Sequence, residues 1–152
     1  MPKSNEQEQK TISEFFEIDH REIDAIFDRV AFEKGAGAVP VFEEFDRRLE
    51  RHIGWEEDIL FLAVGKAAPQ LEAGPLRVMR SEHKEIRSHK AGALAALRQG
   101  NADAARSAAE RMKEVLTQHN MKEERILYPA CDEVITPAER AELLSRLAMK
   151  VA

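Results

Sequence analysis

A ten-residue pattern occurs twice in the chain, and it restricts the possible folds more than any other feature. His52-Ile53-Gly54-Trp55-Glu56-Glu57-Asp58-Ile59-Leu60-Phe61 and His119-Asn120-Met121-Lys122-Glu123-Glu124-Arg125-Ile126-Leu127-Tyr128 both read H-x-x-x-E-E-x-I-L-aromatic. Residues four apart on an α-helix share a face, so each copy aims an imidazole and a carboxylate the same way. The Ile-Leu pair continues that side as an apolar stripe, which turns the polar groups toward a core. Two such helices facing each other place two His and two Glu in a dry interior. Burying charge there is costly unless it is compensated, and a pair of divalent metal ions is the obvious compensation.

The remaining chain reads as support for that arrangement. From about Thr11 to Lys34, Phe16, His20, Ile23, Phe27 and Val30 fall at helical spacing, with Thr11 or Ser13 as cap and Gly35-Ala36-Gly37 as breaker. Pro40 suits the first turn of a second helix, which carries Phe45, Leu49, His52, Glu56, Ile59/Leu60 and Ala63 on one face and closes at Pro69. A third runs from about Leu76 to Arg98 with Met79, His83, Ile86, Leu94 and Leu97 inward. Asn101 can cap a fourth, Ala102 to about Cys131, striped by Met112, Leu116, His119, Glu123, Ile126 and Leu127. Thr136-Pro137 opens a short fifth helix reaching about Lys150, apolar at Leu143, Leu144 and Leu147.

Four long helices joined by short turns alternate in direction, so the expected fold is all-α: an up-down-up-down four-helix bundle with a short additional C-terminal helix. His20 lies 16 residues before Ala36 and His52 lies 16 after it, which sets them level on adjacent helices. His83 lies 17 before Gly100 and His119 lies 19 after it, again nearly level. One inward histidine per helix results. We expect a polar tail at residues 1–10 and one bundle domain over 11–152.

The mixed charges, net -5, lack the clustered basic face that nucleic acid requires. No apolar run is long enough to span a membrane, and the N-terminus lacks a signal-peptide core. The lone Cys131 fits a reducing compartment, so the expectation is a cytoplasmic protein.

Imidazole nitrogen and carboxylate oxygen suit iron, manganese or zinc. A carboxylate can also bridge two ions, one oxygen on each. Ferritin-like di-iron bundles use two Glu-x-x-His motifs. Here only Glu17 to His20 has that spacing, and Leu49 occupies the matching place before His52. The inverted His-first spacing is a different motif.

The order His20, His52-x-x-x-Glu56, Glu82-His83, His119-x-x-x-Glu123-Glu-x-Ile-Leu-Tyr-Pro resembles the hemerythrin-like, or HHE cation-binding, domain over about Ile18 to Pro129. The resemblance implies a centre of two non-heme iron ions, oxo- or hydroxo-bridged, although other divalent metals also suit these donors. By motif, His20 and His52 would bind one iron, His83 and His119 the other, and Glu56 and Glu123 would bridge.

Oxygen-carrying members have a fifth histidine one turn after the His83 position, where this chain has Arg87. His89, about 240° around the helix from His83, does not replace it. Asp24, Tyr128 or water could fill the gap. Asp24 reads better as a partner orienting His20, and Tyr128 as packing whose hydroxyl could reach the site. Glu57 and Glu124 read as surface or supporting acids, and Arg87 as a partner for a bridging carboxylate.

The resemblance implies a protein that binds or senses O2 or a related small diatomic. The alternatives are a di-iron enzyme reacting with peroxide, O2 or nitric oxide, or an iron-handling protein. Repair members of the family carry a cysteine-bearing N-terminal domain for which this chain has no room, which ranks iron handling lower. A metal-free structural bundle is the remaining rival.

Overall fold

The computed structural model describes residues 10–149, so most of the expected tail at 1–10 and the last residues of the chain lie outside it. Among the described residues the secondary structure is entirely helical. We label the α-helices α1 (Ile12–Asp28), α2 (Val39–Trp55), α3 (Phe61–Ala67), α4 (Pro69–Ala73), α5 (Pro75–Arg98), α6 (Ala102–Lys122), α7 (Tyr128–Val134) and α8 (Pro137–Met149).

Local chemistry sets the helix ends. Thr11 caps α1 in a reciprocal box, its hydroxyl accepting from Glu14 N at 3.0 Å while Thr11 N donates to Glu14 Oε1 at 3.1 Å. Asp132 of α7 accepts from Ile12 N at 2.7 Å and Ser13 N at 3.2 Å, placing an anion at the positive end of α1. Asn101 and Thr136 cap α6 and α8 through Ala104 N and Glu139 N. The first helix stops at Asp28, short of the expected Lys34, because Phe32–Ala38 forms a separate 3-10 segment. Gly35 breaks that segment at φ +54°, and a Cβ there would also lie 3.4 Å from Gly100 O. Both facts favour glycine. The second helical run closes at Ala67, just before Pro69 as expected, and Pro69 then occupies the first turn of α4.

Both copies of the repeat contain a turn of π-helix, over Glu56–Leu60 and Glu123–Leu127. Phe61 N donates to Glu56 O, and Tyr128 N to Glu123 O, five residues back instead of four. In the second copy Pro129, with no N–H, helps to interrupt the regular ladder. Leu62 stands at that place in the first copy, so proline is not required.

Ion pairs show how the long helices run. Asp19–Arg48 and Arg29–Glu44 set α1 antiparallel to α2. Glu50–Lys90 and Glu43–Arg98 do the same for α2 and α5. Glu82–Lys122 joins α5 to α6, and Asp24–Lys113 returns α6 to α1.

Two apolar clusters fill the interior. One gathers Phe42, Phe45, Leu49, Ile86, Leu97, Met112 and Leu116. The other gathers Phe16, Trp55, Leu60, Phe61, Leu76, Tyr128 and Cys131, closed over by Leu143 and Leu147 of α8. The inward His and Glu residues lie between them.

Candidate metal centre

His20, His52, His83, His119, Glu56 and Glu123 are all buried, and Glu56 and Glu123 are wholly so. They come together as the spacing predicts. Glu56, His83, His119 and Glu123 form one group whose donor atoms could hold an ion, and His20, His52 and Glu123 form a second. Glu123 belongs to both.

The four imidazoles share one orientation. Each Nε2 faces a buried carboxylate: His20 with Glu123 and His83 with Glu56 at 3.1 Å, His119 with Glu123 at 3.2 Å, His52 with Glu56 at 3.6 Å. Each Nδ1 donates outward to a different acid. His52 donates to Asp19 at 2.8 Å, His83 to Glu57 at 2.7 Å, His119 to Glu82 at 2.9 Å and His20 to Glu124 at 2.7 Å. An ionised carboxylate only accepts, so the Nδ1 proton is fixed and Nε2 is presented inward.

The supporting acids follow a rule. Each is adjacent in sequence to an inward residue of its own helical run, and each holds the histidine of a neighbouring one. Asp19 of α1 holds His52 of α2, Glu57 holds His83 of α5, Glu82 of α5 holds His119 of α6, and Glu124 holds His20 of α1. The ring closes around the centre. Of the two readings open for Glu57 and Glu124, surface or supporting acid, the contacts to His83 and His20 favour the supporting one. Asp19 and Glu82 were missed as supports, although an acid beside one inward residue of each helical run was the available signal.

Other expectations change. Asp24 neither orients His20 nor faces the centre, because Lys113 Nζ donates to it at 2.7 Å. Arg87 does not reach Glu56 or Glu123; it donates through Nε to Glu50 at 3.2 Å and lies 3.6 Å from Glu57. His89 lies off the site, 3.8 Å from Glu85. Ile126 is 64% exposed instead of joining the stripe, and Tyr128 is fully buried. The Tyr128 hydroxyl lies 2.7 Å from Glu56 Oε2, 2.9 Å from Glu123 Oε1, 3.2 Å from His20 Nε2 and 3.4 Å from His52 Nε2. The π-turn accounts for this. Five residues after Glu123 is about 140° off its face on an α-helix, but the wider turn brings Tyr128 round.

The electrostatics favour positive charge in the centre. Burial disfavours a charged imidazole at His52, but Glu56 and the Asp19 hydrogen bond outweigh it and raise its pKa to about 10. His83 rises to about 9 against the same penalty, through Glu56 and Glu57. Burial works against ionised Glu56, yet His52, Glu123 and His83 hold its pKa well below the usual value. Buried Glu123 Oε2 receives no hydrogen bond of acceptable geometry, although His119 Nε2 is close. An acceptor left open in the interior is costly, and a cation between the imidazoles and carboxylates would satisfy it. The residues present therefore fit a metal.

Beside the four imidazoles lies a cavity of about 10 Å3, lined also by Ile23, Leu49, Ile86 and Leu116. It has room for about one water-sized group. No helix among the described residues is long and apolar enough to cross a membrane.

A family model described as hemerythrin HHE cation binding domain matches residues 11–131. No curated protein and no solved structure matches the chain.

Proposed function

Because the chain belongs to the hemerythrin HHE cation-binding family, we propose that its centre holds two non-heme iron ions within an up-down-up-down four-helix bundle extended by α8. His20 and His52 would hold one ion and His83 and His119 the other, with Glu56 and Glu123 shared. The observation that carries the reading is the orientation of the imidazoles: four Nε2 atoms converge on two buried carboxylates while four acids fix the Nδ1 atoms behind them. Such an outer set of acids orients metal-binding histidines and raises their basicity. Bound iron supplies redox chemistry and positions for a small ligand. The chain's own residues set which way the donors point and keep bulk water out.

The function that follows is binding or sensing of O2 or a related small diatomic. The small cavity beside the imidazoles, bounded on one side by Ile23, Leu49, Ile86 and Leu116, favours a small ligand over a larger substrate. A di-iron enzyme acting on peroxide, O2 or nitric oxide is the second reading. It is favoured by Arg87, which is turned out to Glu50 and so adds no donor beside His83. We read the chain as a single cytoplasmic domain over residues 11–152.

The test is metal analysis with optical spectra, oxidised and reduced, on wild type and Glu56→Ala. Wild type should contain about two irons per chain, the number a dinuclear site holds. The variant should lose metal from the His83/His119 side and, with it, the charge-transfer absorption of the bridged pair. Unchanged content and spectrum in Glu56→Ala would remove the assignment. Reversible spectral change with O2 supports binding, whereas steady turnover of peroxide or nitric oxide supports the enzyme.

A further inference from the structure

We infer that the phenolic oxygen of Tyr128 is a ligand to the metal held by His20 and His52, so that the two metal positions are chemically unlike. The inference rests on the di-iron reading above and adds a donor that the His/Glu motif does not contain.

Three observations carry it. The Tyr128 oxygen lies 2.7–3.4 Å from Glu56 Oε2, Glu123 Oε1, His20 Nε2 and His52 Nε2. Donors about 2.1 Å from one ion in octahedral geometry are about 3 Å apart when adjacent, so the oxygen is spaced from these atoms as a fellow ligand would be. Its position is also built. Tyr128 is fully buried and stacked on Phe16, with ring centroids 5.1 Å apart, and the π-turn hydrogen bond from its own N–H to Glu123 O fixes its register. Finally, the equivalent residue in the first copy of the repeat is Phe61. It is reached by the same kind of π-turn, equally buried, and stacked parallel to His83 with centroids 6.1 Å apart. Phe61 brings a ring and no oxygen. The His83/His119 position therefore has no matching donor from the repeat and is the one left for an exogenous ligand.

On binding, the phenolic proton is exchanged for a metal–oxygen bond and leaves to solvent. No electron transfer is involved.

Tyr128 is the only tyrosine in the chain, so a tyrosinate signal has one source. The experiment is visible absorption and resonance Raman on iron-loaded, oxidised protein, with and without ring-deuterated tyrosine. The expected result is a tyrosinate-to-ferric charge-transfer band whose excitation enhances ring vibrations that shift with the label. Tyr128→Phe should keep its iron and lose the band and those vibrations, whereas Phe61→Tyr should add a second tyrosinate and strengthen the band. Iron-loaded wild type without label-sensitive ring vibrations, or a band that survives in Tyr128→Phe, overturns this inference and leaves the di-iron reading standing. Wild type that takes up no iron overturns both. If Tyr128→Phe fails to fold, the labelled wild type decides alone.

Discussion

The two copies of the repeat share a backbone and differ in what surrounds them. Each runs from an inward histidine through a π-turn to an inward aromatic ring. In the first copy Ile59 is 3% exposed, because α8 packs over it with Leu143. In the second copy, among the described residues, Ile126 is left 64% exposed. The first ends in the Phe61 ring beside His83, and the second in the Tyr128 hydroxyl among four donor atoms. Glu57 in the first copy has Arg87 at 3.6 Å behind it, while the only ion-pair partner of Glu124 among the described residues is His20. The repeat thus dictates local geometry. Its neighbours, and one oxygen atom, decide what each copy does.

The largest effect expected is on the shared carboxylates. Glu123 belongs to both donor groups and Glu56 to one. Glu123→Ala should therefore lose essentially all bound iron, and Glu56→Ala should retain some at the His20/His52 side. Metal analysis after exhaustive dialysis separates them, and equal losses would mean that the two carboxylates are interchangeable. Next in size is the covering by α8. Ile59→Ala removes buried methyl groups and should destabilise by about 2–4 kcal/mol in urea unfolding. Ile126→Ala, at the same place in the repeat, should fall within about 0.5 kcal/mol of wild type. Similar losses at both sites would mean that Ile126 is covered in solution.

The same comparison explains what could be read from the sequence. The six inward His and Glu residues were legible because i,i+4 spacing translates directly into one helix face, and α8 was legible from Thr136 and Pro137. Ile126 was placed on the inward stripe because an α-helical period was carried through Glu123–Leu127, where the chain inserts a wider turn. That same turn brings the Tyr128 hydroxyl to the site, a reach the sequence had left open. No residue in the first copy announces that turn. Asp24 was misplaced for a different reason. It lies on the His20 face, but Lys113 of another helix binds it, and Glu124 of the neighbouring fourth run orients His20 instead. Periodicity reports which way a side chain points along its own helix; it does not report what a neighbouring helix offers.

The supporting acids give the next effect. Neutralising a partner that orients a metal-binding histidine typically costs about 10–100-fold in metal affinity. Glu57→Gln should sit toward the larger end, because Glu57 is 24% exposed and reinforced by Arg87. Glu124→Gln should sit toward the smaller end, because Glu124 is 36% exposed and water competes for its hydrogen bond. Competition against a chelator of known affinity measures both, and the reverse order would show that outer charge does not set the strength of the support.

The smallest effect is in the acid stability of metal-free protein. The hydrogen bond from His83 lowers the pKa of Glu57, and that from His20 lowers the pKa of Glu124, in each case more than burial raises it. A carboxylate whose pKa is lowered on folding binds protons more readily in the unfolded chain. Its stabilisation is present above the unfolded value of 4.5 and is lost as pH falls through the lower folded value. Both groups are partly exposed, so solvent screening limits each contribution to less than about 1 kcal/mol. Urea midpoints followed from pH 6 downward should fall more gently below 4.5 in Glu57→Gln than in wild type, with Glu124→Gln between them. A Glu124→Gln curve as gentle as that of Glu57→Gln would mean that the two hydrogen bonds are equally shielded, and the inequality between the copies would then reside in Tyr128 and α8 alone.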